Sequence, residues 1–78
     1  MNLSNNLLRA LPSNLSLMQS LKVVNVACNL LEEFPYMLIN CKLLEVVDVS
    51  HNKLRDFPRD LALRLPLLQS FVVDNNPI

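Results

Sequence analysis

Apolar positions along this chain recur in bursts that keep time with one another. Leu21, Val24, Val26 and Leu31 are followed by Leu44, Val47, Val49 and Leu54, then by Leu68, Phe71, Val73 and Ile78. Asparagines share the clock: Asn6, Asn29, Asn52 and Asn76 are separated by steps of 23, 23 and 24, while Pro12, Pro35 and Pro58 recur at steps of 23. A fixed period of this length means one supersecondary unit repeated along the chain. Within each unit the β-branched or aromatic runs 23–26, 46–49 and 71–73 favour strands. Strands are therefore predicted near residues 23–27, 46–50 and 70–74, with a frayed one at 1–4. The intervening crossover is long enough to bring each strand back parallel to the last, with right-handed crossovers expected.

Strand alternation sends Leu21, Val24, Val26 and their equivalents inward and the residues between them outward. Each proline fixes φ and suits a first helical position, so one short helix or 3-10 turn is expected to start there in each crossover. The step from Leu61 to Leu68 is one residue longer than those from Leu38 to Leu44 and Leu15 to Leu21. A small bulge near Arg64-Leu65-Pro66 would absorb it. The recurring Asn reads as a structural ladder whose amides satisfy backbone groups of a turn. With no glycine in the chain, asparagine is also expected to cover some turns that need positive φ. Phe34 and Phe57 read as core, and Tyr36 as an exposed crossover residue.

Written out, the pattern is L-x-x-L-x-L-x-x-N-x-L three times over, and it resembles the leucine-rich repeat family across essentially the whole chain. Leu11-Pro12, Phe34-Pro35 and Phe57-Pro58, each followed by Leu15, Leu38 or Leu61, further resemble the short 23-residue repeats of intracellular members. The fold so implied is an α/β class, right-handed leucine-rich-repeat solenoid. It would have a parallel sheet on the concave face, short helical or 3-10 turns on the convex side, and uncapped ends. Residues 1–78 would form one segment: a partial repeat 1–20, repeats 21–43 and 44–67, and a partial repeat 68–78, as a fragment of a longer solenoid. The resemblance implies a non-catalytic protein-binding or scaffold role, with a structural subunit of an RNA-protein particle as the alternative.

Composition narrows the chemistry. Half of the residues (51%) are hydrophobic, which is too much apolar surface for a disordered chain. Seven Lys+Arg balance seven Asp+Glu, without the basic excess that nucleic acid or an anionic membrane favours. No apolar run approaches the roughly 18 residues of a membrane span, and no signal-peptide core is present. Cys28 and Cys41 have neither disulfide-scaffold nor CxxC spacing, so reduced thiols and a cytoplasmic setting are expected. The sequons at Asn2 and Asn14 match a pattern that arises readily by chance in so Asn- and Ser-rich a chain. Zero glycines exclude phosphate-cradling loops, and no catalytic signature appears; neither enzyme activity nor a cofactor is expected.

The concave face is then the surface to consider, with Asn25, Asp48, His51, Val72 and Asp74 as partner-binding residues projecting from rigid strands. Cys28 and His51 fall roughly 4.8 Å apart on adjacent strands, near enough for a thiol–imidazole pair. A shallow repeat surface offers such a pair neither an oxyanion hole nor a cleft, so they read as a surface histidine beside a semi-buried cysteine. Asp48, His51 and Asp74 lie on diagonals of roughly 7–8 Å, too wide for a dedicated metal site. Lys53, Arg55, Arg59 and Arg64, interleaved with Asp56 and Asp60, read as a solvated face. Met1, Leu3 and Leu8 at one end, and Phe71, Val73 and Ile78 at the other, belong to inward rows with no next neighbour in this sequence. At roughly 25 cal/mol per Å² of bare apolar surface, the 78-residue chain is expected to be marginal and to pair end to end with itself or another protein. Sedimentation at rising concentration should show self-association; a clean monomer with a concentration-independent melt would refute this expectation.

Overall fold

A computed structural model describes residues 1–11 and 19–78. The fold is a small α/β arrangement built on a three-stranded parallel sheet with few helical turns. Strands β1 (Val23–Asn25), β2 (Val46–Asp48) and β3 (Ser70–Val72) lie in the order β1-β2-β3. Their register aligns Val24 with Val47 and Phe71, and Asn25 with Asp48 and Val72. An isolated parallel bridge joins Asn2 to Asn25. The sequence period therefore becomes a spatial one, because residues one period apart stand side by side.

The strands are shorter than the apolar pattern predicts, and 1–4 contributes a single bridge. The reason lies in the side chain at the last strand position. Asn25 Oδ1 accepts the Ala27 N–H at 3.0 Å and Asp48 Oδ1 accepts the Ser50 N–H at 3.0 Å. These loops divert alternate donors and close β1 and β2. The neighbouring donors continue the interchain-like spacing, with Val26 N–H to Asp48 O at 2.9 Å, Cys28 N–H to Ser50 O at 3.0 Å and His51 N–H to Asp74 O at 3.0 Å.

Behind the sheet, Val24, Val26, Val47 and Val49 are fully buried against Leu31, Leu38, Leu44, Leu54 and Leu65 in one cluster. Each such side chain contributes roughly 1.5–3 kcal/mol relative to remaining exposed. Phe34 joins this core, as expected, whereas Phe57 is only half-buried and lies under the Arg59 guanidinium at 5.4 Å.

The two described crossovers differ in helix type. A 3-10 turn, Tyr36–Asn40, follows Pro35, whereas helix α1, Leu61–Arg64, begins three residues after Pro58. In the first, Cys41 N–H reaches Leu38 O; in the second, Leu65 N–H reaches Leu61 O. The 3-10 spacing of three puts Leu38 and Cys41 on one buried face, and the α spacing of four does the same for Leu61 and Leu65. The extra residue of the longer period is thus taken up by a wider helical turn, and the bulge expected at Arg64-Leu65-Pro66 is not formed. Lys42 Nζ donates to Arg64 O at 2.9 Å across the two crossovers, and Arg64 pairs with Asp60 at 2.9 Å. The proline expectation at Pro12 and the sequon at Asn14 lie outside the described residues. Among the described residues no helix is long and apolar enough to cross a membrane.

The asparagines form the predicted ladder. Asn52 Nδ2 donates to Val26 O of the preceding unit at 3.1 Å and to Val49 O and Ser50 O of its own at 3.0 and 3.1 Å; its Oδ1 accepts the Leu31 N–H at 3.1 Å. Asn29 repeats the set with Leu3 O, Val26 O, Ala27 O and the Leu8 N–H. Asn76 repeats it with Val49 O, Val73 O and Asp74 O, and accepts from both Asn52 and Leu54. Among the described residues Asn6 bonds within its own unit, to Leu3 O and Ser4 O. Because Asn29 and Asn52 are buried, truncation strands backbone groups away from water. Asn52→Ala should cost about 3 kcal/mol and Asn6→Ala, at an exposed site, less than about 1 kcal/mol; urea denaturation of the two variants checks the contrast.

Candidate functional site on the open sheet face

Positions 23, 25, 46, 48, 70 and 72 point away from the core, because 24, 47 and 71 point into it. The register sets Asn25, Asp48 and Val72 in one row. All three are half-buried, while His51 and Asp74 are exposed at the loop edge of the same face. Of the five residues singled out from the sequence, the register brings Asn25, Asp48 and Val72 together, and His51 and Asp74 follow in the exposed loops after β2 and β3.

Their chemistry is more committed than the sequence suggests. Asn25 and Asp48 each spend Oδ1 on the loop that closes their strand, and Asp48 Oδ1 also accepts the Ser50 hydroxyl at 2.7 Å. Asn25 keeps its amide donors, and Asp48 keeps its second carboxylate oxygen, for anything that approaches from outside. Asn2 makes the same loop with Ser4, accepting its N–H at 3.0 Å and its hydroxyl at 2.7 Å. Val72 occupies this row without a side-chain acceptor, so β3 ends without such a loop and adds an apolar surface beside the half-buried Val46 and the exposed Val23. Ala27 and Ser50, two residues beyond Asn25 and Asp48, are buried.

His51 does not pair with Cys28 among the described residues. An Asn75 Nδ2 donor faces its Nε2 at 3.3 Å, which suits the neutral Nδ1–H tautomer. Asp48, His51 and Asp74 do not converge: no group of three or more His, Cys, Asp or Glu able to hold a metal occurs among the described residues. Cys28 is exposed rather than semi-buried, and Cys41 is the buried thiol, its pKa raised by desolvation.

Backbone geometry adds a feature that sequence reasoning caught only in part. Asn5, Cys28, His51 and Asn75 all have positive φ, at 58, 59, 54 and 59°. They hold the same position of the period, immediately before the ladder asparagine, which itself stays out of this region. Asn tolerates the left-handed conformation; Cys and His pay a steric cost of about 1 kcal/mol there. The occurrence of Asn at positions 5 and 75 was the available signal. No protein-family model matches the chain, and no curated protein matches it. Cys28→Asn and His51→Asn should each raise stability by about 0.5–1 kcal/mol, read as a higher denaturation midpoint with an unchanged slope.

Proposed function

We propose that this chain is a segment of a right-handed leucine-rich-repeat solenoid that binds a partner protein on its concave sheet face, without catalysis. The observation that carries the reading is the register: equivalent residues stand in parallel rows, and Asn25, Asp48 and Val72 form a continuous outward row on a rigid sheet. The directional asparagine ladder supports the solenoid part, since the amides of Asn29, Asn52 and Asn76 serve the unit before them and so stack unit on unit. The face mixes apolar Val23, Val46 and Val72 with the carboxylates of Asp48 and Asp74, a composition suited to a protein surface. His51, held by Asn75 rather than by a thiol, contributes a polar contact at its edge.

Under this reading a benzophenone side chain placed at position 72 crosslinks a discrete protein that the same group at Ala62, on α1, does not. The combined substitution of Asn25, Asp48, His51, Val72 and Asp74 by alanine should then weaken binding of that protein at least tenfold without loss of cooperative unfolding. A partner that binds the fivefold variant as tightly as the parent would exclude the concave face.

A further inference from the structure

A different flank of the molecule carries charges that form no ion pair among the described residues, although Asp56 Oδ1 accepts the Phe57 N–H at 2.8 Å. In the segments following Asn6, Asn29 and Asn52, Arg9, Glu32 and Arg55 occupy one position of the period, and Glu33 and Asp56 occupy the next. All five are exposed, and among the described residues the ion pair is between Asp60 and Arg64, elsewhere. These opposite charges form no ion pair with one another among the described residues. Two grooves lie between them. One, of about 520 Å³, runs between Arg9 and the wall formed by Glu32–Tyr36; the other, of about 440 Å³, runs between that wall and Arg55–Asp56.

The wall is rigid. The Tyr36 ring stands edge-on to Phe34 at 5.6 Å, and buried Phe34 stands edge-on to Phe71 at 5.9 Å. Tyr36 is nevertheless 53% exposed, and its hydroxyl makes no hydrogen bond among the described residues. The second groove thus has an aromatic floor and side wall in Phe34 and Tyr36. Around it Glu32, Glu33 and Asp56 stand against Arg55 alone, an acidic excess in a chain of formal net charge +0.

We propose that this second groove docks an arginine side chain from an extended segment of a partner protein. The guanidinium takes a bidentate pair with Glu32 or Glu33, while the aliphatic stem and the edge of the guanidinium lie along the exposed Tyr36 ring. Arg55 favours a segment that carries an acidic residue close to that arginine. The surface is separate from the sheet face, so the two stand or fall independently.

The probe is a fluorescein-labelled Ser-Ala-Arg-Ala-Asp-Ala-Ser peptide, with a citrulline version that keeps the shape of arginine and removes its charge. Anisotropy should show saturable binding of the arginine peptide, at least tenfold weaker for citrulline, and weakening as salt rises. Glu32→Gln combined with Glu33→Gln should lower affinity about tenfold, and Tyr36→Leu about fivefold, all at exposed positions. Amide shift mapping on the unsubstituted chain gives a readout that no variant's folding can obscure. Shifts centred on Glu33, Tyr36 and Arg55 support the groove, whereas shifts centred on Asn25, Asp48 and Val72 overturn it. Equal binding of arginine and citrulline peptides, wild-type affinity in the double glutamate variant, or no saturable binding up to millimolar peptide would each overturn it as well.

Discussion

The structure depends on how the chain satisfies its backbone where each strand gives way to a turn. Three-residue strands cannot do this by ladder hydrogen bonds alone, and a buried orphan N–H or C=O costs about 1–3 kcal/mol. The asparagine amide resolves the problem because it is donor and acceptor at once and short enough to stay within the turn. Asn29 and Asn52 each fix two carbonyls of their own unit while reaching one carbonyl and one N–H of the unit before. Neighbouring units are thereby locked in register by polar contacts inside an apolar core. No described buried side-chain polar atom is left without a partner.

The same constraint explains why the crossovers can vary while the sheet does not. With the strands pinned at one end by the ladder, the opposite side of each unit need only return two apolar side chains to the core. Leu38 with Cys41 and Leu61 with Leu65 achieve this with different helical pitches. A one-residue difference in period is absorbed where backbone carbonyls can choose between i+3 and i+4 partners, rather than where strand register would be lost.

The outer face shows the other side of this economy. Its polar residues are partly structural, since Asn25 and Asp48 close their own strands before they can meet a partner. Cys28 and His51 are held in a conformation that suits asparagine better. Local strain of this kind persists when surrounding bonds over-determine the backbone, and here the N–H groups of both residues are fixed by carbonyls of the next unit. The flank with Tyr36 differs in that, among the described residues, Glu32, Glu33 and Arg55 carry no such internal duty, and only Asp56 spends an oxygen on the backbone, accepting the Phe57 N–H at 2.8 Å.

Periodicity alone determined a great deal: the parallel sheet, the inward rows of Val24, Val47 and Phe71, the asparagine ladder and the row of Asn25, Asp48 and Val72. These follow from spacing, because a fixed step in sequence becomes a fixed step in space once one unit stacks on another. Tertiary structure decided what spacing cannot encode. The early strand ends, the choice of an α turn over a bulge at Leu61–Arg64, the positive φ at Cys28 and His51, and the gap between Glu32 and Arg55 all depend on which of several competing partners a backbone or side-chain group finds. That competition is settled by local side-chain and turn hydrogen bonds together with contacts between units, whose energies of about 1 kcal/mol each are invisible to a pattern of spacing alone.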